Sequence, residues 1–222
     1  MATLQLKSIE GQIKLITGLH IGAGNDDIHI GGLDSCVVKD PDGNPYIPGS
    51  SLKGKIRSLL EMSEGCISVK NGPSTRREHP QSLIPIVFGD LEKKPSERND
   101  MNTSVLTRLL VRDAFLSQDS LDRLESESIL PTEAKSENNI DRLKGVAGSP
   151  RSIERAIPGL SFSFEMILRL FTDDNEQEVV ALLKKGLMLL QHDALGGNGS
   201  RGYGKVQFLD LTYCGNPFSL EG

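Results

Sequence analysis

Residues 195–206 run Leu-Gly-Gly-Asn-Gly-Ser-Arg-Gly-Tyr-Gly-Lys-Val, placing Gly196, Gly197, Gly199, Gly202 and Gly204 beside Arg201 and Lys205 with no acid among them. Glycine admits φ > 0 and close approach of a second backbone, and successive N–H groups in such a turn form a nest for an anion. The chemistry suggested is phosphate binding. Gly197-x-Gly199-x-x-Gly202 matches the dinucleotide fingerprint, and Gly199 to Lys205 matches most of a P-loop. Both patterns require a strand before the loop and a helix after it. Here a helical run ends near Leu195 and a strand begins at Lys205, and Val206 stands where a P-loop needs Ser or Thr. Both nucleotide readings fail, and an anion-binding turn remains.

A second candidate anion seat lies at residues 46–61. Ser50 or Ser51 is expected to cap a helix there, with Leu52, Ile56, Leu59 and Leu60 on one face and Lys53 and Arg57 as an i, i+4 pair on another. A helix N-terminus with free N–H groups and nearby hydroxyls suits phosphate. On charge alone, a solvated helix face explains Lys53 and Arg57 equally well. His20 sits in a glycine-rich strand exit, residues 17–24. Asp26, Asp27 and His29 are candidate metal ligands, although adjacent loop carboxylates are ordinarily just solvated. By residue type Asp34 is an ordinary loop cap or turn residue. Cys36, Cys66 and Cys214 are odd in number and far apart, and the four histidines are scattered. That argues against a structural zinc or a disulfide framework and implies a reducing cytoplasm.

The elements that must position these groups follow from periodicity. Leu4, Leu6, then Gly11, Ile13 and Leu15 alternate with polar neighbours as a half-buried strand, with a phase slip at residues 8–10 that predicts a bulge. Val37-Val38 predicts a short strand and residues 41–45, Pro-Asp-Gly-Asn-Pro, a tight turn. Residues 63–103 form a polar insertion in which only 83–91 is apolar enough to dock. Val105 to Phe115 is β-rich and predicts a central strand. Residues 116–129 are acidic and partly helical. Residues 131–157 lack a hydrophobic period but mix Lys135, Asn138, Asn139, Arg142, Lys144, Arg151 and Arg155 with acids, and excursions this long tend to be functional or disordered. Leu160 to Leu170 alternates without a break as a strand. Residues 175–195 form a helix with Val179, Leu182, Leu183, Gly186 and Leu190 on one face, capped by Asp174 or Asn175, and Val206 to Tyr213 is the last strand.

The resulting order is β-α-β-β-α-β with a long excursion: an α+β chain with a ferredoxin-like (RRM-like) plan. The RNA-recognition motif shares that sheet, but residues 105–115 lack its glycine–aromatic signature, so bases are not expected to stack on the sheet. The net charge of −5 over 222 residues argues against a general polyanion binder. Two locally basic loops on an acidic body instead predict a specific anion site. No apolar run is long enough for a membrane span, and Lys7 and Glu10 interrupt the first apolar residues, so no signal peptide is expected.

A chain of this plan that ends in a Gly-rich loop before its last strand resembles the RAMP superfamily of CRISPR proteins. Three further stretches narrow the resemblance: Gly31-Gly-Leu-Asp-Ser35, Tyr46-Ile-Pro-Gly-Ser-Ser-Leu-Lys-Gly-Lys-Ile-Arg57, and Glu133-x-Lys-x-x-Asn-x-Ile-Asp-Arg142 running on to Pro150-Arg-x-x-Glu-Arg155. Together they look like the repeated backbone subunits of type III-A (Csm) effectors, over nearly the whole chain. The type III-B (Cmr) backbone subunits are the nearest alternative. Cys36 stands where the pattern has proline, and residues 65–101 carry few markers of the family.

The resemblance implies a single RAMP domain over residues 1–222 whose copies stack in a helical filament along CRISPR RNA beside other Csm subunits. It implies that residues 131–157 form a thumb that kinks the guide–target duplex. Ser50, Ser51, Lys53, Arg57, Asn139, Arg142, Arg151, Arg155, Gly197, Gly199, Arg201, Gly202 and Lys205 would then meet RNA. Backbone contacts of this kind position RNA without reading it, which suits a protein that must accept any guide. The resemblance further implies divalent-metal-dependent cleavage of target RNA, with Mg2+ the expected ion, Asp34 as catalytic residue or metal ligand and His20 as a weaker catalytic candidate. A non-catalytic RNA scaffold and a guide-processing nuclease of the same superfamily are the competing functions. The latter is disfavoured because no histidine-centred constellation is evident.

Overall fold

The fold is known from a computed structural model that describes residues 3–24, 35–67, 79–90, 106–138, 140–141, 146–147 and 151–220. Asp26, Asp27, His29, Asp34, Asn139 and Arg142 lie outside the described residues.

Two long strands carry the sheet. β1 (Leu4–Leu15) places Ile9, Ile13 and Leu15 inward, and β8 (Ser161–Phe171) does the same with Phe162, Phe164, Met166, Leu168 and Leu170. Side chains of a strand alternate between faces, so the unbroken apolar alternation of residues 160–170 builds one continuous core face. β8 pairs antiparallel with β1 along its length. β9 (Val206–Tyr213) joins the other side of β1, and β10 (Asn216–Pro217) extends it. On the far side of β8 lie β2 (Leu109–Val111) and β3 (Phe115–Leu116), giving a six-stranded antiparallel sheet in the order β10-β9-β1-β8-β2, with β3 also on β8. The expected slip in β1 is a register shift between Glu10 and Gln12 against β9, where Asp210 has φ 52°. The extra residue therefore belongs to β9.

Helix α1 (Gly49–Glu64) and helix α4 (Glu176–His192) pack on each other and share one core with the sheet. The expected faces are the buried ones: Leu52, Ile56, Leu59 and Leu60 in α1, and Val179, Leu182, Leu183, Gly186 and Leu190 in α4. Asn175 caps α4 through Glu178 N–H, while Asp174 forms a two-point ion pair with the buried Arg108 at 2.9 and 3.0 Å. Among the described residues there are also two shorter helices, α2 (Ile84–Phe88), which docks its apolar residues into the core, and α3 (Gln118–Glu127). Among the described residues between Thr132 and Ala156, β4 (Thr132–Glu137) pairs antiparallel with β7 (Arg151–Ala156), and β5 (Ile140–Asp141) with β6 (Val146–Ala147), the two ladders of a hairpin. No helix among the described residues is long and apolar enough to cross a membrane.

Two expectations are corrected. Residues 105–115 do not make a central strand. The described part is an edge strand that breaks after Val111, because Ala114 leaves the sheet to exchange both backbone hydrogen bonds with Ile47 (2.8 and 2.9 Å). Nor do Ser50 and Ser51 cap α1. The helix starts at Gly49, Pro48 takes the cap position, and Gly49 N–H donates to the Asp113 carboxylate at 2.7 Å. The break in the strand and the cap are one device, since the segment that turns away from β8 delivers Asp113 to the positive end of α1, where a carboxylate is favoured.

This close approach requires glycine at 49. A Cβ there would run into the Val111 carbonyl oxygen and lie 2.9 Å from the Arg112 carbonyl carbon. Gly54, on the exposed side of the same helix, has open space at that position. Gly49→Ala should cost about 1–3 kcal/mol through overpacking, whereas Gly54→Ala should add up to about 1 kcal/mol by helix propensity. Denaturant midpoints of the two variants measure the contrast, and equal effects would contradict the packing described.

Candidate functional site

The segment between β1 and α1 leaves the sheet and folds back on itself. Ala23 N–H donates to Cys36 C=O (3.2 Å) and Val38 N–H to Ile21 C=O (2.9 Å), which closes a neck between residues 21–24 and 35–38. Asp34 is the residue next to that neck. Ser35 itself is held by the hairpin: it bridges Ile153, and Glu154 N–H donates to its carbonyl at 3.0 Å.

Glu154 is the centre of this arrangement. It is only 5% exposed. Its carboxylate accepts from Lys39 Nζ (2.6 Å), Thr132 Oγ1 (2.8 Å) and Val37 N–H (3.0 Å). Burial works to raise this carboxyl. The hydrogen bonds from Lys39, Thr132 and Val37, with the Lys39 charge, outweigh it and hold the group below the usual carboxylate range. The Glu154 carbonyl takes a 2.6 Å hydrogen bond from His20 Nδ1, and His20 Nε2 lies 3.2 Å from Ser35 Oγ. A carbonyl only accepts, so Nδ1 carries the proton, and in the neutral ring Ser35 donates to Nε2. The buried His20 thus ties Ser35, the residue next to Asp34, to the Glu154 backbone. The geometry of His20 is that of a positioning group.

The glycine loop closes on the same place. Gly197 N–H donates to His20 C=O (2.8 Å), Gly204 N–H to Gly18 C=O (2.9 Å) and Lys205 N–H to Thr17 Oγ1 (3.0 Å). A tight turn at residues 199–201 supplies the rest, with Arg201, Gly202 and Tyr203 N–H groups bonded within the loop. The expected open anion nest is therefore corrected for these six groups: their N–H donors already have protein acceptors. Gly204 (φ 72°) and Gly196 (φ 74°) occupy the left-handed region, and a Cβ on either would strike the backbone of Leu195 or His20. The loop has room for no other residue at those positions.

From the loop, Tyr203 and Arg201 reach the hairpin. The Tyr203 ring is 1% exposed, with Lys135 Nζ 4.5 Å and Arg155 Cζ 5.0 Å from its centre. Burial and the neighbouring Glu137 carboxylate push the phenol up to about 12, and its hydroxyl makes no well-formed hydrogen bond. Arg201 pairs with Glu137 at 2.7 Å, and Arg155 with Glu133 at 2.7 Å. Arg155 thus braces the hairpin against Glu133, while Glu137 pairs with Arg201 and Glu154 with Lys39.

Of the expected site residues, His20, Arg155, Gly197, Gly199, Arg201, Gly202 and Lys205 belong to this cluster, and the exposed Arg151 lies opposite Glu137 in the hairpin register. Lys53 and Arg57 are not on a solvated face. Lys53 Nζ donates to Leu109 C=O at 2.8 Å, and burial, with the Arg169 and Arg57 charges, pushes it down to about 8. Arg57 bonds Glu61 (2.8 Å) and Gly89 C=O (2.9 Å). Ser50 is exposed and Ser51 half-buried on the first turn of α1, and the following turn is joined to the end of α4 by Lys55 and Asp193 at 3.0 Å. Sequence reasoning did not find Glu154 as the hub, the Lys39 contact, or Tyr203 with Lys135. A lone aromatic inside a glycine run was the available signal for Tyr203.

A family model described as the RAMP superfamily matches residues 12–207. The chain belongs to the RAMP superfamily. Within it, the chain is similar to a protein of Streptococcus thermophilus named "CRISPR system Cms endoribonuclease Csm3", with 45% identity covering 92% of this chain and 89% of that one. A chain of a solved structure, the "Csm3-Csm4 subcomplex in the type III-A CRISPR-Cas interference complex", aligns over 95% of this chain and 80% of its own, at 29% identity and TM-score 0.54. The type III-B Cmr-beta complex bound to cognate target RNA contains a chain of the same fold, with TM-score 0.62 and 17% identity over 95% of this chain and 61% of that one.

Because the Glu154 carboxyl is depressed in the folded chain, its contribution to stability is fully present above the ordinary carboxyl pKa of about 4.3 and is lost as pH falls through the lower folded value. Glu154→Gln should cost about 1–3 kcal/mol at neutral pH and flatten the acid side of the stability–pH curve. Thermal melts of both proteins between neutral and acidic pH measure this. Parallel curves would contradict the role given to the carboxylate.

Proposed function

We propose that this RAMP chain is a CRISPR RNA-binding backbone subunit of a type III-A (Csm) interference complex that also cuts target RNA at regular intervals in antiviral defence. The observation that carries the reading is the convergence of the glycine loop, the basic hairpin base and the neck beside Asp34 on Glu154. A similarity near full length to a protein named an endoribonuclease of that system supports it. The identity of the relatives favours type III-A over the type III-B counterpart, for which the likeness concerns fold. The strand order β9-β1-β8-β2, with α1 and α4 on one core, supports a ferredoxin-like plan within a single domain. The hairpin of residues 132–156 supports the thumb assignment for residues 131–157.

In this reading guide and target RNA run past the glycine loop and the hairpin, other copies of the chain continue the filament, other Csm subunits cap it, and the complex works in the cytoplasm. The thumb turns one nucleotide out of the duplex and so brings a 2′-hydroxyl into line with its phosphorus. Asp34 takes the 2′-hydroxyl proton, the 2′-oxygen attacks, and the 5′-oxygen leaves. A general base contributes about 10²–10⁴-fold. His20 and Glu154 act by fixing Ser35, hence the approach of Asp34, and do not touch RNA. Among the described residues no group of three or more His, Cys, Asp or Glu could hold a metal. Magnesium commonly takes only one or two carboxylates together with substrate phosphates, so Asp34 is the residue proposed to contribute to such an ion, and no step is assigned to it.

In a reconstituted complex, Asp34→Ala should leave assembly and guide retention unchanged and remove the cuts in target RNA. Persistent cutting would favour the scaffold reading, with the nuclease elsewhere. Chelation of divalent ions should stop cutting while the guide stays bound; cutting at full rate in chelator would remove the metal from the proposal.

A further inference from the structure

Around Tyr203 the hairpin and the glycine loop gather Lys135, Arg151, Arg155 and Arg201 against two carboxylates, Glu133 and Glu137. Glu133 is committed to Arg155 by contacts of 2.8 and 2.7 Å. Glu137 serves two cations less completely. It meets Arg201 through Nη1 at 2.7 Å and Lys135 at a looser 3.6 Å. The Glu137 side chain is 12% exposed, whereas Arg201 is 49% and Lys135 36% exposed. The carboxylate is thus the inner partner, and both cations keep open sides. Their stacking and backbone placement do not depend on Glu137: Lys135 lies over a ring that is itself locked in the core, and the Arg201 N–H bonds Asn198.

We propose that Lys135 and Arg201 form a seat for one backbone phosphodiester of RNA, and that Glu137 fills this seat as an internal substitute anion until RNA displaces it. The proposal rests on the RNA-binding function above and adds to it a named subsite and a competitor. A carboxylate and a phosphodiester each carry one negative charge, so the seat accepts either. The exchange favours RNA because both cations keep open sides toward solvent, where a phosphate on a strand already held elsewhere arrives at high effective concentration. The ligand is a phosphate and not a base, since the buried Tyr203 ring offers no face for stacking. Such a competitor also raises the threshold for unspecific polyanions, which make only the one contact.

Binding of a labelled single-stranded RNA of mixed sequence to the full chain, titrated at several salt concentrations, tests this. Glu137→Gln should tighten binding by about threefold to tenfold and steepen the dependence on log salt by about one phosphate contact. Lys135→Met, which keeps the stem over Tyr203, should weaken binding and flatten that slope. The gain from Glu137→Gln should shrink when combined with Arg201→Ala. Melting curves of each variant confirm folding. A wild-type chain that binds RNA with a Glu137→Gln variant no tighter would overturn the subsite alone. A folded wild-type chain that binds no RNA at low salt would overturn both the subsite and the function on which it rests.

Discussion

A carboxylate taken out of water must be paired or it destabilises the fold, and Glu154 meets that demand with groups drawn from two parts of the chain. Thr132 comes from the adjoining hairpin strand, Val37 and Lys39 from the return of the β1–α1 connection, and the backbone on either side of the carboxylate holds His20 and Ser35. The hairpin, the neck and the strand exit therefore cannot be placed independently. The glycine loop depends on the same point at one remove, because it docks on the carbonyl groups of Gly18 and His20. The same network fixes Ser35, the residue that follows Asp34 in the sequence.

The same construction explains how an acidic chain can serve as an RNA-binding subunit. Its cations are not spread as a coat. Many are drawn into contacts with the protein: Lys53 with the edge strand, Arg57 with Glu61 and Gly89, Arg108 with Asp174. Those are cations of the framework. Arg151, Arg201 and Lys135 keep open sides at the hairpin base and the glycine loop, while other exposed cations, such as Arg112 and Arg123, pair with acids elsewhere. Under the proposed function, backbone contacts there would position a strand irrespective of its sequence.

Much of the core was legible in the sequence because strand and helix periods are local. Residues 160–170 alternate cleanly, and the buried faces of α1 and α4 follow from a 3.6-residue period. What escaped was non-local. The β-rich run ending at Phe115 has the propensity of a strand, yet Ala114 finds its partner in Ile47 and Asp113 finds its own at the start of α1; propensity does not contain the partner. The glycine loop was correctly placed between a helix and a strand, but its donors are spent on the protein, and its one aromatic residue turned out to matter as much as its glycines. Glu154 lies in a hairpin whose composition is polar, so its burial was invisible until the neck folded over it. Asp34 carries weight through family resemblance, not through any pattern of its own.

The most direct measurement maps cut positions. A reconstituted complex would be given target RNAs that share no sequence, each with a matching guide, and the 5′ ends of the products would be located. The expected result is one constant interval between cuts, counted from the same end of the guide and independent of target sequence, because under the proposed function each copy of the chain would present one Asp34 at one position along the duplex. Cuts that follow target sequence, or that keep no fixed interval, would contradict a cleaving backbone subunit.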